Sequence, residues 1–158
     1  MKRFSSIPGG ISVSLMDPEV ALLEGLSPLL ASAGVERDDP ARERLRPQPY
    51  PDDEAASREY NRLIGKERNE GRSADRELFN NGLSAIKDKP LVLSAEEAAA
   101  WVRVVGEARI VLSARKGLFE AGMPDEPVND PEIAFIMFLG LVQEELVVEM
   151  LKAMEETK

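Results

Sequence analysis

A chain of 158 residues has the length of one domain with one core, and 43% hydrophobic against 31% charged residues argues against both global disorder and a membrane protein. Cysteine and histidine are absent, which removes disulfides, thiol switches, imidazole and thiolate metal sites and histidine-based triads together. A net charge of −9 repels polyanions over most of the surface, so nucleic-acid binding requires a segregated basic patch.

The opening MKRFSSIPGG is basic but lacks the apolar core of a signal peptide, and cytoplasm is the expected compartment. Runs at Arg3 to Ile7 and Ile11 to Leu15 flank Pro8-Gly9-Gly10, and Ile11, Val13 and Leu15 alternate with Ser12 and Ser14. That pattern predicts a hairpin over 2–15 with one buried face. Asp17-Pro18-Glu19 reads as an N-cap, a first-turn proline and a first-turn acid, starting a helix over 18–33 that Gly34 stops. Residues 35–53 carry four prolines (Pro40, Pro47, Pro49, Pro51) and read as a loop with one short turn at Ala41 to Leu45.

From Asp53 the pattern turns helical through Tyr60, Leu63, Ile64, Ala74, Leu78 and Leu83, although Gly65 and Gly71 each weaken a helix by about 1 kcal/mol. Leu91-Val92-Leu93 predicts a third short strand, and Ser94 to Glu97 forms a capping box. The helix that follows, Ala95 to about Glu120, is apolar nearly all round and should be the central one. Asp130-Pro131-Glu132 repeats the earlier start signal and opens a last helix to about Glu155. Its apolar run from Ile133 to Val142 is about half the length a bilayer needs, so no membrane span is expected. The expected architecture is a single domain over 1–158, mainly α (α+β). Four to five helices form a bundle, an N-terminal hairpin and a third strand accompany it, and the helical core occupies 54–156.

Turning each residue by about 100° gathers Arg58, Arg62, Lys66, Arg68, Arg72 and Arg76 within an arc of roughly 160°, with Tyr60, Leu63, Ala74 and Leu78 opposite. The functional reading is a helix that follows phosphates or meets an acidic protein surface. The bland reading is a solvated charged face. Lys2, Arg3, Arg42, Arg44 and Arg46 extend the patch only if they fold beside it. Arg109 and Arg115 stand in an apolar helix and call for carboxylate partners, for which Glu144 or Glu145 is the choice; an internal ion pair is favoured over an anion site. The apolar run of the last helix reads as buried core or as a homodimer seam, with Phe135, Met137 and Phe138 as the seam residues. Trp101 reads as core. No histidine accompanies the glutamates as a di-iron bundle requires, Pro8-Gly9-Gly10 is a turn without Walker spacing, and neither metal nor cofactor is expected.

The ordered blocks resemble a known family. A basic start with a turn precedes a helix from Met16 to Leu30, and Pro49-Tyr50-Pro51-Asp52-Asp53 leads into Glu59-Tyr60-Asn61-Arg62-Leu63. Trp101 follows with Ala108 to Leu112, Arg115 and Gly117-Leu118, then Leu139-Gly140 with Gln143-Glu144. Together they are similar to the actinobacterial oxidative stress regulators, a group also catalogued as a domain of unknown function. The resemblance implies a small cytoplasmic regulator in transcription of stress-response genes, encoded near an adaptor of the Clp protease, with no enzyme activity. Its partners would be DNA or a protein of the transcription machinery. Family members described as redox sensors use paired cysteines, and a chain without cysteine cannot switch by thiol oxidation. The rival reading is an adaptor or scaffold linked to protein turnover, docking through its last helix.

Overall fold

The computed structural model describes residues 2–45, 49–125 and 129–156. The fold is mainly helical, with the N-terminal strand pair and the third strand that the sequence predicts. Strands β1 (Phe4–Ile7) and β2 (Gly10–Val13) form the hairpin, with Phe4 paired to Val13, and β3 (Leu91–Leu93) adds antiparallel to β2. Phe4, Ile11, Val13, Leu91 and Leu93 point to the core, which is the alternation a half-buried sheet requires. Gly10 permits the third strand to close, because a Cβ there would collide with the Leu93 carbonyl oxygen.

The helix expected over 18–33 is two segments, α1 (Asp17–Glu24) and α2 (Leu26–Ser32), meeting at Gly25. Pro28 causes the break. It has no N–H to donate to the Glu24 carbonyl, so a continuous ladder cannot pass. The cap of α1 also falls one residue earlier than expected, at Met16, whose N–H donates to Glu19 Oε1 at 3.0 Å. Gly34, at φ +75°, ends α2's exit, and α3 (Ala41–Leu45) supplies the short turn.

Helix α4 (Glu54–Ala85) runs unbroken for 32 residues through both internal glycines, a rod of about 48 Å. Asp53 caps it, accepting from Ala56 N–H at 3.0 Å. Ser94 and Glu97 form the capping box of α5 (Ala95–Arg115), with bonds of 3.1 and 3.0 Å. Helix α5 stops five residues short of the expected end because Gly117 adopts the left-handed conformation, φ +74°, and only the four-residue α6 (Leu118–Ala121) follows. Asp130 Oδ1 accepts from Glu132 N–H at 2.9 Å and opens α7 (Pro131–Glu156).

Helix α5 is the axis of the core, as its composition predicts. It packs against α2, α3, α4, α7 and the sheet, burying Ala98, Trp101, Val104, Val105, Ala108 and Val111. Trp101 is fully buried, with Phe79 edge-on at 4.8 Å and Phe4 at 6.4 Å. Gly82 makes room for it, since a Cβ would sit 2.8 Å from Trp101 Cζ2.

Candidate binding surfaces

The rotation of α4 decides what its cations can touch. Its deepest apolar side chains, Phe79 and Leu83, lie in the last turns, and Arg72, Arg76, Phe79 and Leu83 follow at the i, i+4, i+7, i+11 spacing of one face. That face meets α5. The wheel read from the sequence is therefore turned the wrong way. Tyr60, Leu63 and Ala74, expected to be covered, are exposed, and two of the six cations expected outside point inward.

Arg76 Nη2 bonds to Glu107 Oε1 at 2.8 Å, Arg72 Nε lies 3.9 Å from the same oxygen, and Arg72 Nη2 donates to the Leu45 carbonyl at 3.2 Å. A second pair, Arg103 with Asp75 at 2.8 Å, stitches the same two helices. Arg62 is held by Glu59 at 2.6 Å, which raises the guanidinium's affinity for its proton and lowers the carboxyl's. Arg58, Lys66 and Arg68 have no ion-pair partner among the described residues, yet Arg68 is half-buried on another side of the helix from Lys66. The six cations do not converge. The acids that flank the free ones, Glu59, Glu67 and Glu70, interrupt any track a phosphate backbone could follow.

Of the other basic residues, Lys2, Arg3 and Arg44 are engaged elsewhere. Arg3 folds onto α1 and α7, bonded to Glu19 and Glu145 and lying 5.5 Å over the Phe138 ring, and Lys2 stands 3.7 Å from Glu149. Arg44 lies 3.9 Å over Phe119. Arg46 lies outside the described residues.

Neither expected ion pair with Glu144 forms within the chain. Arg115 instead holds Asp39 at 2.7 Å, and Asp39 also accepts from the N–H groups of Gly34 and Ala41. The Arg115 guanidinium, helped by those two amides against burial, keeps the Asp39 carboxyl far below the usual carboxylate range. Arg109 donates to the neutral Gln143 Oε1 at 2.6 Å, its Nε is buried without a partner, and its guanidinium lies on Gly140, where a Cβ would come within 3.4 Å of Nη2. Glu144 is exposed. Loop-borne Asp39 and mid-helix Glu107 and Gln143 are the partners that sequence reasoning missed. Only Asp39 carried a local signal, as an acid before Pro40 at the start of α3.

On α7, Phe135 and Phe138 are half-buried and stack at 6.4 Å, whereas Met137 stands open at 57% exposure. The face Met137 belongs to continues through Leu141, Val148 and Leu151, all exposed. Beside it an open groove of about 560 Å³ between α5 and α7 is lined by Arg109, Met123, Met137, Gly140, Leu141 and Glu144. Buried Glu149, on the opposite flank, is held ionised by Lys152 and by the Ser6 N–H at 3.1 Å. Among the described residues no group of acids could hold a metal ion, and no helix is long and apolar enough to cross a membrane.

Fold and surfaces together define a mainly α domain with a three-stranded N-terminal sheet, its helices laced by ion pairs and two helical faces left open. The chain belongs to the family described as a domain of unknown function (DUF2017), whose model matches residues 1–150. No curated protein and no solved structure matches it.

Proposed function

We propose that this protein is a non-catalytic regulator of stress-response transcription, of the actinobacterial oxidative stress regulator type, and that it acts by docking on a protein of the transcription machinery through the first half of α4. The observation that carries the reading is the bareness of that half. From Glu54 to Gly71 only Ser57 is buried, so Tyr60 and Leu63, the latter 64% exposed, face solvent, with Lys66, which has no ion-pair partner among the described residues, one turn on from Leu63. An exposed aromatic and leucine among charges of both signs suits a protein interface. A duplex would require a continuous cationic track. The blocks quoted above supply the transcriptional context, and a cysteine-free member takes its signal from partner binding and not from thiol chemistry.

The test measures affinity for purified RNA polymerase holoenzyme and, separately, for a promoter duplex across a salt series. Leu63→Asp and Tyr60→Asp should abolish polymerase binding while leaving thermal stability intact. Polymerase binding that is absent in the wild type, or unchanged in both variants, defeats the reading. Salt-steep promoter binding lost in Arg58→Ala/Lys66→Ala would move the function to DNA.

A further inference from the structure

The open face of α7 has a second property besides its exposure. Its outward residues are Ala134, Met137, Leu141, Glu144, Val148 and Leu151, following one another at steps of three and four as a helix-pairing seam does. The sequence of steps reads the same from either end. A second α7 laid antiparallel therefore matches seam to seam, with Met137 opposite Val148, Ala134 opposite Leu151, and Leu141 opposite Glu144. This is the condition for an isologous two-fold contact.

A single polar residue, Glu144, interrupts that seam. In the antiparallel register it falls opposite Leu141 of the other copy, one residue from Gly140. The Arg109 guanidinium rests on Gly140, at the edge of the same groove, with the uncharged Gln143 as its bonded partner and its Nε unsatisfied. Among the described residues each chain thus carries a cation lacking an acid and an acid lacking a cation, displaced along one face by the offset that the two-fold removes. A lone carboxylate in an apolar seam is strongly unfavourable, and a partly desolvated arginine without a counter-charge is its complement. With glycine at 140 the guanidinium lies directly on the helix at the seam's edge, 3.4 Å from where a Cβ would stand.

We infer that the outer face of α7 seats a second copy of this chain, antiparallel, with Arg109 of each copy bound to Glu144 of the other. The inference stands apart from the α4 surface, and either can fail alone.

The experiment is sedimentation equilibrium of the full chain over a range of concentrations, with fold monitored by circular dichroism. Wild type should dimerise. Glu144→Arg, whose site is exposed in the monomer and tolerates the change, should weaken the dimer about 100-fold or more. Arg109→Glu should do the same, and the combined charge exchange should restore association. Should Arg109→Glu fail to fold, Leu141→Asp replaces it and should yield folded monomer. Register is read by cysteine cross-linking, which the cysteine-free background makes clean. A mixture of Met137→Cys and Val148→Cys chains should oxidise to the mixed dimer, and Met137→Cys alone should not cross-link to itself. A wild type that is monomeric at every concentration, a dimer indifferent to Glu144→Arg and Leu141→Asp, or self-cross-linking of Met137→Cys overturns the inference.

Discussion

Arg76 on α4 reaches across to Glu107 on α5, 31 residues further along the chain, at 2.8 Å, on the face by which the long helix meets the core. Glu107 is well covered, and Arg72 Nε lies 3.9 Å from the same carboxylate oxygen. Replacing Glu107 by alanine leaves two part-buried guanidinium groups facing each other. The expected loss of stability is about 2 kcal/mol, read by urea denaturation. Arg62→Ala, which removes an exposed pair on the outer side, should leave the urea midpoint essentially unchanged. Equal effects from the two would contradict the rotation of α4 described above.

The glycines of α4 should respond in opposite directions. Gly82→Ala drives a methyl into the Trp101 ring and should destabilise by about 1–3 kcal/mol, with a shifted tryptophan emission. Gly65→Ala and Gly71→Ala meet open space in a continuous helix, and each should stabilise by about 0.5–1 kcal/mol. Thermal melts of the three variants decide the point, and a destabilising Gly65→Ala would mean the rod is interrupted there.

Asp39 makes part of the stability pH-dependent. Its carboxyl is held below the unfolded value by the Arg115 guanidinium and the Gly34 and Ala41 amides, so its contribution is fully present above about pH 4 and is lost as acidity rises toward the lower folded value. Asp39→Asn should lower stability at neutral pH and flatten its decline below pH 4. Carbon-detected titration of Asp39 showing an ordinary carboxylate midpoint would refute the pairing.

Much of this fold was readable in the residues that act locally. Ser94 with Glu97, Asp130 before Pro131, and the alternation around Pro8-Gly9-Gly10 each satisfy backbone groups within a few positions, and those elements stand where expected. What was not legible depends on pairings distant in sequence. Nothing near Arg115 points to Asp39, 76 positions earlier, and nothing near Arg109 favours Gln143 over Glu144. The rotation of α4 misled for the same reason. Tyr60 and Leu63 form an apolar stripe on a wheel, but the core reaches only the helix's last turns, where Phe79 and Leu83 rule.

Phe79 also fixes the size of the core's response. It is 1% exposed and edge-on to Trp101, so Phe79→Ala should destabilise by about 3–5 kcal/mol, whereas Phe119→Ala, at a half-open surface position, should fall below 1 kcal/mol. Chemical denaturation of both variants checks the contrast.

The Ser6 amide finds its acceptor on Glu149 and Arg3 finds one of its two on Glu145, so the opening strand is clasped by the closing helix. During synthesis the hairpin is made 142 and 143 residues ahead of these acceptors and waits for them before the bonds can form. Residues 1–130 alone are thus a nascent chain with an unclasped sheet, and the last turns of α7 act as the latch that completes it.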